Sequence, residues 1–229
     1  YVLFTDGIAA GAFGCWREDV KINWCSVDKA TLTQSEMHEF NKKMAEAKKL
    51  REHEEEINRT KARSKASKIW EQSVKPPTDH PYLISKRVQS HGLKLSRGKL
   101  IVPLYDQNQV IQSLQFIGPD GEKRFLRGGL TKGCYFPIEG ALDKILYIAE
   151  GFATAATVHE VTGSAVAVAF YANNLEPIAK ALREKFPNLE IVICADDDHQ
   201  TKGNPGIRKA IEAATATRSK VVIPEFDGN

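Results

Sequence analysis

Lys144-Ile-Leu-Tyr-Ile-Ala-Glu-Gly151 is a short apolar run that stops at an acid and a glycine. An apolar run of this length, so bounded, reads as a strand buried on both faces. Phe152 to Val161 then reads as a helix, Ala165 to Phe170 as a second strand and Leu175 to Phe186 as a second helix. Glu190-Ile-Val-Ile-Cys-Ala195 is a third strand, Gly206 to Thr217 a third helix and Val221-Val-Ile223 a fourth strand. This alternation predicts an α/β fold, a parallel sheet with helices on its faces. Right-handed crossovers place the carboxyl ends of its strands along one edge.

Ligands of such sheets bind outside the carboxyl ends of the strands. Glu150 follows the first strand directly, and Gly151 lets a ligand approach the backbone. Asp196, Asp197 and Asp198 follow the third strand. Strand alternation sends Asp196 and Asp198 roughly one way and Asp197 the other. A lone Glu-Gly is common, and a lone Asp-x-Asp can be a loop or helix cap. Together they bring acids to one rim, where mutual repulsion raises their pKa values. Hard divalent cations such as Mg²⁺ relieve that repulsion, taking few carboxylates and sharing the site with substrate phosphates. His199 is close enough in sequence to join, but reads as a loop residue. Gly203, Pro205 and Gly206 open the next helix.

Upstream, Leu100-Ile-Val-Pro-Leu-Tyr105 and Val110 to Ile117 read as a β-hairpin, with Pro119-Asp-Gly121 as a turn and Lys123-Arg-Phe-Leu126 as a further strand. This small antiparallel region carries Lys123, Arg124, Arg127 and Lys132. Tyr105 and Phe116 are candidates for base stacking, although aromatic residues in strands more often serve a core. Pro81 to Val88 reads as a short helix and turn. Residues 34–74 are rich in good helix formers with sparse apolar positions, which predicts one or two long, mostly exposed helices. Thr33-Gln-Ser-Glu36 is a capping-box signature at the start of this segment, and Pro76-Pro77 ends it. Residues before it form a β-rich stretch with Phe13, Trp16 and Trp24 as apolar weight. The expected division is a β-rich unit over 1–32, a charged helix over 33–75, a basic α+β subdomain over 76–140 and the α/β domain over 141–229.

Of the 229 residues, 42% are hydrophobic and 27% charged, enough to bury a core. No apolar stretch approaches the ~20 residues that span a bilayer. No signal-peptide pattern opens the chain, and the expected setting is cytoplasmic. The four cysteines form no C-x-x-C pair, which argues against a zinc ribbon. The net charge of +3 is unevenly spread, with residues 41–75 and 85–133 basic and residues 139–229 acidic. A basic stretch suits a polyanion and clustered acids suit divalent cations.

Glu150-Gly151 and Asp196-Asp197-Asp198, in this β/α order, resemble the TOPRIM domain of primases, topoisomerases and some nucleases. Tyr82-Leu83, Ile101 to Tyr105, Ser113 to Ile117, Asp120-Gly-Glu-Lys-Arg124 and the glycine-bounded stretch 133–140 resemble the primase part of plasmid- and phage-type primase-helicases. Gly11-Ala-Phe-Gly14 with Trp16-Arg17 is similar to the start of that module. The resemblance implies a TOPRIM-type parallel sheet flanked by helices, preceded by a small mixed α+β subdomain and a long charged helix. It implies a DNA primase that makes short RNA primers on single-stranded DNA from nucleoside triphosphates, in company with a replicative helicase. Glu150 would act as general acid/base or metal ligand, and Asp196 and Asp198 would bind Mg²⁺ or Mn²⁺. Lys123, Arg124, Arg127 and Lys132 would face the triphosphate or the template. Neither a zinc module nor a G-x-x-x-x-G-K-[ST] loop is in the chain, so a catalytic core is the expectation. Asp227 follows the fourth strand. Two other readings are a TOPRIM nuclease and a non-catalytic DNA-binding module of a replication protein.

Overall fold

The computed structural model describes residues 2–5, 8–15, 20–28, 32–198, 201 and 203–224. Gly7, Trp16, Arg17, His199 and Asp227 lie outside the described residues. The chain divides into two units, residues 1–57 and 58–229, and the division falls within one helix.

In the first unit β1 (Val2–Phe4), β2 (Ala10–Cys15) and β3 (Val20–Cys25) make an antiparallel sheet in that order. Phe13 and Trp24 are exposed on it. The helix α1 (Gln34–Gln72) begins at the capping box read from the sequence. The Thr33 N–H and hydroxyl donate to Glu36 Oε2 at 2.9 and 2.7 Å, and the Glu36 N–H donates to Thr33 Oγ1 at 3.4 Å. These bonds satisfy donors that a helix start leaves free. The hydroxyl bond first, then the N–H bond, holds the Glu36 carboxyl below its ordinary range.

The second unit opens with the end of α1. There Ala62 and Ala66 are buried against Ile101, Leu114 and Leu126. Next come α2 (Pro81–Lys86), β4 (Lys94–Ser96), β5 (Lys99–Tyr105), β6 (Ile111–Ile117) and β7 (Lys123–Phe125). The four strands form an antiparallel sheet in chain order. Alternation along β5 serves two cores: Ile101 faces α1, while Leu100, Val102 and Leu104 pack with Tyr82 and Leu83. Tyr105 and Phe116 are partly buried against these cores, so both serve packing.

The second sheet is built by β8 (Phe136–Ile138), β9 (Ile145–Ala149), β10 (Val166–Val168), β11 (Glu190–Cys194) and β12 (Lys220–Val222). Its order is β12-β11-β9-β10-β8; all neighbours are parallel except β8 on β10. The sequence reading missed β8, which contains Pro137 and lies on the edge. The crossover helices are α3 (Phe152–Thr162), α4 (Leu175–Lys185) and α5 (Pro205–Thr217), and a 3-10 turn over Ala172–Asn174 precedes α4. On β10, Val166 and Val168 pack with α3 and the antiparallel sheet, whereas Ala167 and the flanking Ala165 and Ala169 pack with α4 and α5. The fold is therefore α/β with a mostly parallel sheet covered on both faces. Cys25, Cys134 and Cys194 are free thiols. No helix among the described residues is long and apolar enough to cross a membrane.

Ile148 is fully buried on the central strand β9. Ile148→Ala should cost about 2–5 kcal/mol through lost burial and a residual cavity. A shift of the urea midpoint measures it, and an unchanged midpoint contradicts this packing.

Candidate active site at the carboxyl edge of the parallel sheet

The register sets the site. Ala149 on β9 lies opposite Cys194 on β11, so Glu150 and Asp196 leave neighbouring strands at one rim. Gly151 caps α3 with extended backbone, and buried Phe152 anchors the helix start. The Asp196 Oδ1 accepts from the Thr154 hydroxyl at 3.3 Å. Asp198 Oδ2 accepts from the Gly206 N–H at 3.2 Å, at the start of α5. Asp197 turns elsewhere, its Oδ1 accepting from Asn204 Nδ2 at 2.6 Å. Asn204 also caps α5, its Oδ1 accepting from the N–H groups of Asp198 at 3.0 Å and Ile207 at 3.4 Å.

Glu150 is the strained member electrostatically. Burial, then repulsion from Asp196 and Asp198, pushes its carboxyl up to about 7. Lys123 and a hydrogen bond from the Ala172 backbone oppose that rise. One carboxylate oxygen, Glu150 Oε2, is buried without a hydrogen-bond partner. Asp196 is also raised, by burial first and then by Asp198, against the Thr154 bond and Lys123. The neighbouring Cys194 thiol is pushed up to about 11 by burial and by Asp196.

Of the four basic residues singled out by the sequence, Lys123 alone is coupled to these acids. Much of its stem is in water, but its ammonium end is drawn in: a Cβ on Gly151 would lie 3.6 Å from Lys123 Nζ. Burial of that end, with help from Lys86, lowers its pKa, while Asp196 and Glu150 act in the opposite sense. Arg124, next along β7, is exposed and bonded to Glu122 Oε1 at 2.9 and 2.6 Å. Arg127 and Lys132 are exposed. Lys132 sits on a loop fixed to the sheet end by buried Asn174. The Asn174 Oδ1 accepts from the Gly133 N–H at 2.8 Å, and its Nδ2 donates to the Cys134 and Ala169 carbonyls at 2.9 and 2.8 Å.

The acids touch one another's fields, yet among the described residues no three His, Cys, Asp or Glu side chains are gathered tightly enough to enclose a metal ion by themselves. The orphaned Oε2 of Glu150 and the raised carboxyls nonetheless fit a cation that takes one or two carboxylates and finds its other oxygens on substrate and water.

Residues 145–229 match the Toprim domain family. Over 99% of its length the chain is similar to the DNA primase TraC of Escherichia coli, with 37% identity over 239 residues that cover 22% of that protein. A second Escherichia coli DNA primase TraC is 34% identical over 237 residues, 99% of this chain and 16% of that protein. The chain thus spans about a fifth of the length of these relatives. Among solved structures, the primase fragment of the bacteriophage T7 primase-helicase protein is similar with a TM-score of 0.47 and 18% identity, over 63% of this chain and 64% of that one.

Sequence reasoning singled out Glu150, Asp196 and Asp198 but not Thr154, Asn174 or Asn204, polar residues whose partners are set by the turns around them. Gly206 was read as a helix opener, and its tighter role is steric. A Cβ there would lie 2.3 Å from the Asp196 carbonyl oxygen and 3.0 Å from Asp198 Oδ2. Gly206→Ala should therefore displace the Asp196–Asp198 segment and cost about 1–3 kcal/mol, read as a lower urea midpoint; wild-type stability would contradict the close approach.

The raised Glu150 carboxyl makes stability depend on pH. Between about 4.5 and about 7 the folded, metal-free chain holds a proton that the unfolded chain has released. Stability from this group is present below 4.5 and lost as pH rises through 7. Thermal melts of the chain in chelator should show this decline relative to Glu150→Gln, and parallel profiles for the two proteins would refute it.

Proposed function

We propose that this chain is the catalytic core of a DNA primase, making short RNA primers on single-stranded DNA from nucleoside triphosphates. The observation that carries the reading is the similarity to DNA primases along 99% of the chain, joined to the Glu150, Asp196 and Asp198 cluster at the Toprim rim. We further propose that Mg²⁺ or Mn²⁺ is held at this rim by one or two of Glu150, Asp196 and Asp198 at a time, with substrate and water oxygens supplying the other ligands. A divalent ion held there would neutralise charge on the reacting phosphates.

In this reading Lys123 binds the triphosphate, with its ammonium end beside the acids. The exposed Arg124, Arg127 and Lys132 offer charge to the template or the triphosphate tail. A primer 3′-hydroxyl attacks the α-phosphorus, the new O–P bond forms, and the bond to the bridging oxygen breaks to release pyrophosphate. Glu150 acts either as a holder of the ion or, where Asp196 and Asp198 hold it, as the base that takes the hydroxyl proton. Thr154 holds Asp196 in place by its 3.3 Å bond. Positioning and charge supply most of the acceleration in such transfers. A replicative helicase is the partner this activity calls for.

The test is primer synthesis on single-stranded DNA with labelled triphosphates and Mg²⁺ or Mn²⁺. Short labelled products should form with wild type. They should fall at least about a hundredfold with Glu150→Gln and vanish with the paired change Asp196→Asn and Asp198→Asn. Strand cleavage without triphosphates would instead establish a nuclease. Salt-dependent DNA binding with no product and no metal effect would establish a binding module.

A further inference from the structure

The turn that follows β10 is strained. Phe170 has φ +73°, a left-handed conformation that bulky residues rarely adopt. What the strain secures is visible in its hydrogen bonds. The Phe170 N–H donates to the Glu150 carbonyl at 2.7 Å, and the Ala172 N–H bonds the Glu150 carboxylate. The same turn therefore fixes Glu150 and two aromatic rings, Phe170 and Tyr171. Tyr171 is anchored at its far end, its hydroxyl 3.3 Å from Thr131 Oγ1.

Both rings back a third. Phe125 meets Phe170 edge-on at 6.0 Å between centroids and Tyr171 at 6.2 Å. Phe170 is buried, but Phe125 leaves 38% of its surface in solvent. Phe125 and Lys123 are two residues apart on the edge strand β7, so they point to the same face about 7 Å apart. Lys123 reaches the acids; Phe125 stands beside it. That offset is about what a ribose places between a phosphate and its base.

We propose that Phe125, backed by Phe170 and Tyr171, is the platform on which a nucleobase stacks while its phosphate lies at Lys123. The proposal rests on the primase reading only in taking the ligand to be a nucleotide. Stacking of a base on an exposed ring tolerates any base, which suits a site that must accept several nucleotides. Phe125 would be a positioning residue, setting where the phosphate falls relative to Glu150.

The experiment uses the whole chain and three variants, Phe125→Trp, Phe125→Leu and Phe125→Ala. Leucine keeps the apolar contact with Phe170 and Tyr171 but cannot stack, so it separates stacking from packing. Three probes are titrated: ATP with Mg²⁺, ribose 5-triphosphate, which has no base, and an oligo(dT) strand. ATP should quench the added tryptophan of Phe125→Trp beyond the wild-type signal, and ribose 5-triphosphate should not. Phe125→Leu and Phe125→Ala should bind ATP about fivefold or more weaker, with ribose 5-triphosphate affinity unchanged. Quenching and weakened binding with oligo(dT) alone would assign the stacked base to the template strand. Wild-type affinity of both truncated variants for ATP and for oligo(dT), with no quenching by either, overturns the platform. Primer synthesis is scored separately: ATP stacking without synthesis would sink the primase reading and leave the platform, and synthesis without stacking would do the reverse.

Discussion

The pairing of β9 with β11, Ala149 opposite Cys194, is the constraint on which the rim depends. Parallel neighbours lie about 4.8 Å apart, so acids one and two residues beyond that pair are forced into company. A slip of one residue would turn each side chain to the opposite face. Glu150 and Asp198 would part, and the apolar alternation that fills both cores would fail with them. Burial of Ile148, Ile191 and Ile193 on one side and Ala149 and Cys194 on the other locks the register. The hydrophobic core thus holds together carboxylates that repel one another.

The antiparallel sheet does not merely precede the parallel one. Leu100, Val102 and Leu104 of β5 share a core with Phe152, Ala155 and Ala156 of α3. Lys123 is delivered to Glu150 by that packing, although the two are 27 positions apart in sequence. Asn174 performs a similar task from the other direction. Its amide is fully buried and satisfied, and it ties the Lys132 loop to the end of β10.

The alternation of strands and helices was legible because each strand is an apolar run and each helix starts at a glycine, proline or asparagine. The acids were legible because their place follows from where strands end. β8 was not, since three residues including a proline carry no strand signal, and only its pairing with β10 makes it one. The packing face of α1 was hidden for another reason. Ala62 and Ala66 are its buried residues, with Ile69 and Trp70 packed beside them, and alanines leave no apolar stripe in a charged helix. Lys123 and Arg124 looked equivalent in sequence. The pleat of β7 separates them, sending one to the acids and the other to Glu122. The Phe170 conformation has no sequence signal at all, because nothing local favours it.

β8 closes one side of the parallel sheet. Just before it, Tyr135 exchanges backbone hydrogen bonds with Tyr105, each at 2.9 Å, so the end of β5 already occupies part of that border. Pro137 follows with no N–H to offer. A strand from another molecule would find an interrupted ladder there, so accidental sheet growth between copies is blocked on this side. Copies of the protein can then crowd together without their sheets fusing through the β8 border.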